Sequence, residues 1–131
     1  MAFENDFTEW LAEGLAQPIP KSVCAFAFNL FEPAGESGVR FGIELVGASS
    51  SDKDDPDWAC EEVWAPANRR LSIPEQYSGS DWQACLKKMK SLVQELLEVD
   101  TQVAQRLKRY SGVGIGFVDG DLEITWPNAN S

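Results

Sequence analysis

The sequence feature that most constrains the fold is a two-residue turn, Asp119-Gly120, between two runs of alternating apolar residues. Aspartate followed by glycine favours a tight β-hairpin, because both residues tolerate the positive φ that such a turn requires. The turn predicts three cross-strand pairs, all apolar and all on one face: Phe117 with Leu122, Ile115 with Ile124, and Val113 with Trp126. The last part of the chain is therefore predicted to form a β-hairpin.

Two more runs of alternating apolar residues, 22–32 and 39–46, predict a second hairpin around a turn at 33–38. A third strand is predicted at 58–65, where the alternation places Glu62 and Trp64 on the same face. Residues 66–79 lack a clear period, apart from a short extended piece at 71–73.

Two helices are predicted from apolar residues spaced three and four apart. The first covers 6–16; Asp6 caps it, and Gly14 and the prolines that follow end it. The second covers 80–110, or is interrupted by a break at Asp100. The element order is α-β-β-β-α-β-β, which indicates an α+β fold with a mostly antiparallel five-stranded sheet and helices packed on one side.

Length and composition predict a single domain, 1–131. A chain of 131 residues that is 44% hydrophobic buries enough surface to fold without a metal or a disulfide. The three cysteines, Cys24, Cys60 and Cys85, are far apart, which favours free thiols. The first residues lack the pattern of a signal peptide and no apolar run is long enough for a membrane span, so we expect a cytoplasmic protein.

Excess negative charge is confined to the first half of the chain. Residues 1–65 carry 13 acidic and 3 basic side chains, whereas 66–131 carry 8 of each. A net charge of −10 argues against nucleic acid and anionic membranes as direct ligands, and it favours association with a basic protein. The charge leaves the choice between monomer and dimer open.

The charge is densest in residues 52–64, here called the acidic segment, which holds six acids, one base and two tryptophans. Carboxylates pair well with arginine, and tryptophan is enriched at interface hot spots. We predict that the acidic segment contacts a protein partner through Asp52, Asp54, Asp55, Asp57, Trp58, Glu61, Glu62 and Trp64. The alternatives are a solvated loop and a calcium loop, but Pro56 and the absence of the required glycine disfavour calcium.

The chain shows no catalytic signature. It contains no histidine, the commonest general base and metal ligand, and its cysteines do not have zinc-binding spacing. The run Gly112, Gly114 and Gly116 lies within a hairpin instead of between a strand and a helix, so it does not indicate a dinucleotide loop. We predict a binding protein without metal or cofactor, not an enzyme; the glycine-lined hairpin face is an alternative contact surface.

Four stretches together resemble a known group of proteins: Ala25–Glu32, Ile43–Gly47, Asp54–Val63 and Gly114–Leu122. They resemble small bacterial proteins encoded beside polymorphic or contact-dependent toxins, which are taken to be immunity proteins. The resemblance covers most of residues 20–125 and implies neutralisation of a cognate toxin, such as a nuclease with a basic cleft. It assigns no contact residue. The alternative function is an acidic secretion chaperone that binds an effector segment, which the size, charge and element order also fit.

Overall fold

A computed structural model of the chain shows a mixed β-sheet with helices packed against one face. It describes residues 3–32, 39–49, 62–79, 81–99, 101–110, 112–117 and 123–126. The helices are α1 (Phe3–Leu15), α2 (Glu75–Ser78), α3 (Trp82–Glu98) and α4 (Gln102–Lys108). The strands are β1 (Ala25–Phe31), β2 (Val39–Ala48), β3 (Glu62–Trp64), β4 (Arg70–Pro74), β5 (Gly112–Phe117) and β6 (Glu123–Trp126).

The sheet has the strand order β3-β2-β1-β5-β6, and β4 also pairs with β2. β1 and β2 form the predicted antiparallel hairpin, in which Phe28 lies opposite Leu45. β1 and β5 pair in parallel, with Phe28 beside Ile115. The sheet is therefore mixed but mostly antiparallel, and the predicted α+β class is confirmed.

The hydrophobic core lies between the helices and one face of the sheet. Phe26, Phe28 and Leu30 of β1 point into it and are fully buried. The helices contribute a second set of fully buried side chains: Phe7, Leu11, Cys85, Met89 and Leu107. The opposite face of the sheet carries smaller residues, and there Ala25, Ala27, Val46 and Ala48 form a separate buried cluster.

The predicted second helix is divided into α3 and α4, and the short helix α2 before it was not predicted. Val99 has an extended backbone and ends α3, and the side chain of Thr101 caps α4 by accepting a hydrogen bond from the Ala104 amide at 3.2 Å. The interruption near Asp100 is thus the correct alternative. α1 starts earlier than predicted and continues through Gly14 to Leu15.

β4 is longer than the predicted extended piece and brings the sheet, within the described residues, to six strands instead of the predicted five. It pairs with the first half of β2, where Ile73 lies opposite Phe41, while β3 pairs with the end of β2. β2 has ten residues, so its outer edge is long enough for two short strands in succession.

The register of the last hairpin is only partly as predicted. Val113 pairs with Trp126, but Ile115 pairs with Glu123, so the predicted pairing of Ile115 with Ile124 is wrong. The register shifts after Val113, which leaves Thr125 as an extra residue in β6, a β-bulge. Leu122 and the Asp119-Gly120 turn lie outside the described residues.

Candidate functional site

Only the end of the acidic segment lies within the described residues. Glu62 and Trp64 belong to β3, whereas the other six predicted contact residues lie outside the described ranges: Asp52, Asp54, Asp55, Asp57, Trp58 and Glu61. Among the strands that the structure describes, β3 is the last one on its side of the sheet. Glu62 is exposed and Val63 is 44% exposed, so the acidic segment ends at an accessible edge of the sheet.

Glu62 and Trp64 lie on opposite faces of the sheet, contrary to the sequence prediction. Glu62 pairs with Ala48, which points to the second face, and Trp64 pairs with Gly47, which faces the core. The register shift between these two pairs accounts for the change, because an irregularity of one residue reverses the side-chain alternation.

The side chain of Trp64 packs against the core and thereby holds β3 in place. Its ring packs edge-on against Phe26 with centroids 6.0 Å apart, and the side chain is half-buried. Gly47 has no side chain at the point where Trp64 and Val23 meet; a Cβ there would lie 3.1 Å from Trp64 Cε3. The indole therefore has a packing role within this protein.

A cluster of charged and polar side chains, here called the Glu44 cluster, ties β3 and β4 to the second face of the sheet. Glu44 is 9% exposed, and its Oε2 accepts hydrogen bonds from Arg69 Nε at 3.2 Å and Arg70 Nε at 3.1 Å. Arg69 also donates from Nη2 to Glu62 Oε1 at 2.8 Å. Asn29 Nδ2 lies 3.5 Å from Glu44 Oε1.

The Glu44 cluster balances its own charge. Two carboxylates, Glu44 and Glu62, face two guanidinium groups, and the hydrogen bond that Arg69 donates to Glu62 is the main cause that raises the pKa of Arg69. A nearly buried carboxylate needs such partners, because an unpaired buried charge is costly. The Glu44 cluster therefore holds the strands in place. Within it, the carboxylate of Glu62 is already paired with Arg69.

The sequence did not predict the Glu44 cluster, because Arg69 and Arg70 lie in residues 66–79, where no clear period indicates a strand. One signal was present: Glu44 is the only acidic residue within the alternating apolar strand 39–46. A single carboxylate inside such a strand requires a cationic partner if the face is covered.

Helix α1 and Gln17, which follows it, hold the connection between β3 and β4. Trp10 Nε1 donates to the backbone oxygen of Asn68 at 2.7 Å, and the Ala67 amide donates to Gln17 Oε1 at 2.8 Å. Gly14 allows the close approach of Pro66, which would lie 3.3 Å from a Cβ at that position. These contacts hold the residues just after β3, so the sheet edge is set by the fold.

The glycine-lined face of β5 is not open. Gly112, Gly114 and Gly116 are buried, and they lie beside Ala25, Ala27 and Asn29 of β1. Their burial does not favour the alternative in which this face contacts a partner.

Cys24 and Cys85 are free thiols, as predicted. Cys24 is exposed and Cys85 is buried, and Cys60 lies outside the described residues. Burial raises the pKa of Cys85 to about 12. This thiol is therefore protonated at neutral pH and is a poor nucleophile.

Within the described ranges, no group of three or more histidine, cysteine or acidic side chains is placed to hold a metal ion. None of the helices in the same ranges is long and apolar enough to cross a bilayer. No family model, curated protein or solved structure matches the chain.

Proposed function

We propose that this chain is an immunity-type binding protein that neutralises a cognate bacterial toxin in the cytoplasm. One observation carries the proposal. The acidic segment, which has the highest density of acids and tryptophan, ends in β3, an edge strand of the described sheet in which Glu62 and Val63 are exposed. The confinement of the negative charge to the first half of the chain and the resemblance to toxin-associated immunity proteins support the same function.

The proposed partner surface is basic. A nuclease needs lysine and arginine to bind phosphate, and a protein that places carboxylates over such a cleft excludes the nucleic acid. Arg69 already neutralises Glu62, so the attraction comes from the other five acids of the acidic segment. Long-range attraction between opposite charges also accelerates association.

We assign different roles to different parts of the acidic segment. Trp64 is packed against the core, which leaves Trp58 as the proposed aromatic anchor. The backbone of β3 lies at the edge of the sheet, where an extended segment of the partner can add as a further strand. The contacts of Trp10 and Gly14 in α1, and of Gln17 just after it, with residues 66–68 hold this edge in place before binding, which lowers the entropic cost of association.

The test replaces Asp52, Asp54, Asp55 and Asp57 by Asn. The control removes the same number of charges from exposed helical positions: Glu9, Glu13, Glu95 and Glu98 to Gln. Each variant is co-expressed with the toxin domain encoded by the neighbouring gene, and cell growth and the association rate at low salt are measured.

The acidic-segment variant is expected to lose protection and to associate at least about tenfold more slowly, whereas the control keeps both. Equal behaviour of the two variants would show that the acidic segment has no special role. A neighbouring gene that encodes a secreted effector, together with binding of its extended segment, would favour the chaperone function instead.

A further inference from the structure

A cleft lined by two arginines lies between the end of α1 and the end of α4. Its walls are Leu15, Ile19, Arg106, Arg109 and Tyr110, and its volume is about 170 Å³. All five residues lie outside the acidic segment and outside the Glu44 cluster.

The two arginines converge on the cleft. Arg106 lies in the last turn of α4 and Arg109 follows three residues later with a helical backbone, so both project from the same side of the helix. Within the part of the chain that the structure describes, neither forms an ion pair, in contrast to Arg69 and Arg70. A helix C-terminus favours cations in general, but that effect does not require two of them to line one cavity.

The rest of the cleft is apolar and firmly held. Leu15 is 4% exposed and Ile19 is half-buried. Tyr110 packs edge-on against Phe26 with ring centroids 4.6 Å apart, which fixes the tyrosine wall to the core. The cleft thus combines two arginine side chains with a largely apolar lining.

We propose that this cleft binds a carboxylate carried on a compact apolar group. Guanidinium groups pair with carboxylates through charge-assisted hydrogen bonds, and the apolar walls accept the rest of the ligand. A cavity of about 150 Å³ accommodates benzene, so a cleft of about 170 Å³ suits a ligand of that size. Two sources have this chemistry: a free aromatic or aliphatic acid, and the C-terminal residue of a peptide.

The test titrates the whole protein with sodium benzoate for the free acid and with N-acetyl-leucine for the peptide terminus. Binding is followed by amide chemical shifts. We expect saturable shifts at Leu15, Ile19 and Tyr110 with at least one of the two ligands; the stronger of the two identifies the source. Benzamide and N-acetyl-leucinamide, which lack the negative charge, are expected to bind at least about tenfold more weakly.

The double variant Arg106→Gln and Arg109→Gln removes the proposed donors, and Lys21→Gln with Lys87→Gln removes two exposed charges elsewhere. Only the first pair is expected to abolish the saturable shifts, with both variants unfolding at the wild-type temperature. The proposal is overturned if neither acid binds, if the neutral amides bind as well as the acids, or if both variants weaken binding equally. None of these results depends on the acidic segment, so the toxin-binding proposal stands or falls separately.

Discussion

At the scale of single residues, the carboxylate of Glu44 has three polar partners. It accepts from Arg69 and Arg70 and lies beside Asn29, although it is only 9% exposed. Replacing it removes the anionic partner of two cations at once. Its contribution to stability should therefore exceed that of an ordinary surface ion pair.

We expect Glu44→Gln to lower the free energy of unfolding by about 1–3 kcal/mol, because two charge-assisted hydrogen bonds are weakened. The comparison variant Arg70→Gln removes a side chain that is 67% exposed and should cost less than about 1 kcal/mol. Urea unfolding monitored by tryptophan fluorescence measures both. An equal loss in the two variants would contradict a central role for Glu44.

Cys85 predicts a specific loss of stability at alkaline pH. Burial raises the pKa of its thiol from 9.0 to about 12. Below pH 9 the thiol is protonated in the folded and the unfolded protein; above pH 9 only the unfolded state ionises, so stability falls as the pH rises. In this range, one such group lowers the free energy of unfolding by about 1.4 kcal/mol for each pH unit.

The measurement is urea unfolding at several values between pH 8 and pH 11, compared with Cys85→Ala. The variant is expected to be less stable at pH 8, but its stability should fall less steeply above pH 9. The pKa of Tyr77 is also raised, mainly by burial and further by Glu4 and Glu95, and this contribution remains in both proteins. Parallel curves for the two proteins would rule out the thiol as a cause.

At the scale of elements, the contact between β2 and β3 depends on Gly47. A Cβ at this position would lie 3.0 Å from both methyl groups of Val23 and 3.1 Å from Trp64. We expect Gly47→Ala to destabilise the protein by about 1–3 kcal/mol through overpacking. The same substitution should detach β3, seen as increased exposure of Trp64 in fluorescence quenching.

Gly42→Ala in the same strand is the matched control. The three atoms nearest to its Cβ would all belong to the ring of Phe31, at 2.5–3.0 Å, and this ring is the end of a half-buried side chain that can rotate away. The rotation sacrifices the contact in which Arg70 lies 5.5 Å from the Phe31 ring. A smaller loss of stability is expected, with Trp64 unchanged, and the reverse order of the two variants would refute the packing argument.

The elements themselves followed from local patterns where one face of the chain is buried. The alternation in β1 and β2 and the spacing in α1 and α3 are set by burial on one side, which sequence alone displays. The bulge in β6 and the shift at β3 were not predictable in this way, because they depend on how the strands fit their neighbours. The parallel pairing of β1 with β5 was missed for the same reason.

The candidate site was predictable only in part. Its charge and tryptophans are visible in the sequence, but the packing of Trp64 and the pairing of Glu62 with Arg69 come from tertiary contacts. The cleft at Arg106 and Arg109 joins residues from two helices that lie far apart in the chain. No local pattern predicts such a juxtaposition.

At the scale of the whole molecule, the sheet depends on β5 and β6, the strands nearest the end of the chain. β5 pairs with β1 from Ala25 to Leu30, and both strands are almost entirely buried. We expect a chain that ends at Tyr110 to remain unfolded, because β1 would keep a row of unsatisfied buried backbone groups. Amide chemical-shift dispersion and circular dichroism test this against a chain that ends at Trp126, which should fold. A dispersed spectrum from the shorter chain would disprove it.

The parallel pairing of β1 with β5 also has a consequence during synthesis of the protein. Ribosomes add about 5–20 residues per second, so β1 waits several seconds before β5 emerges beside it. During that interval the apolar sequence of β1 has β2 on one side and an open hydrogen-bonding edge on the other. The nascent chain is then most exposed to pairing with another copy, and a chaperone that covers β1 at this stage would raise the yield of folded protein.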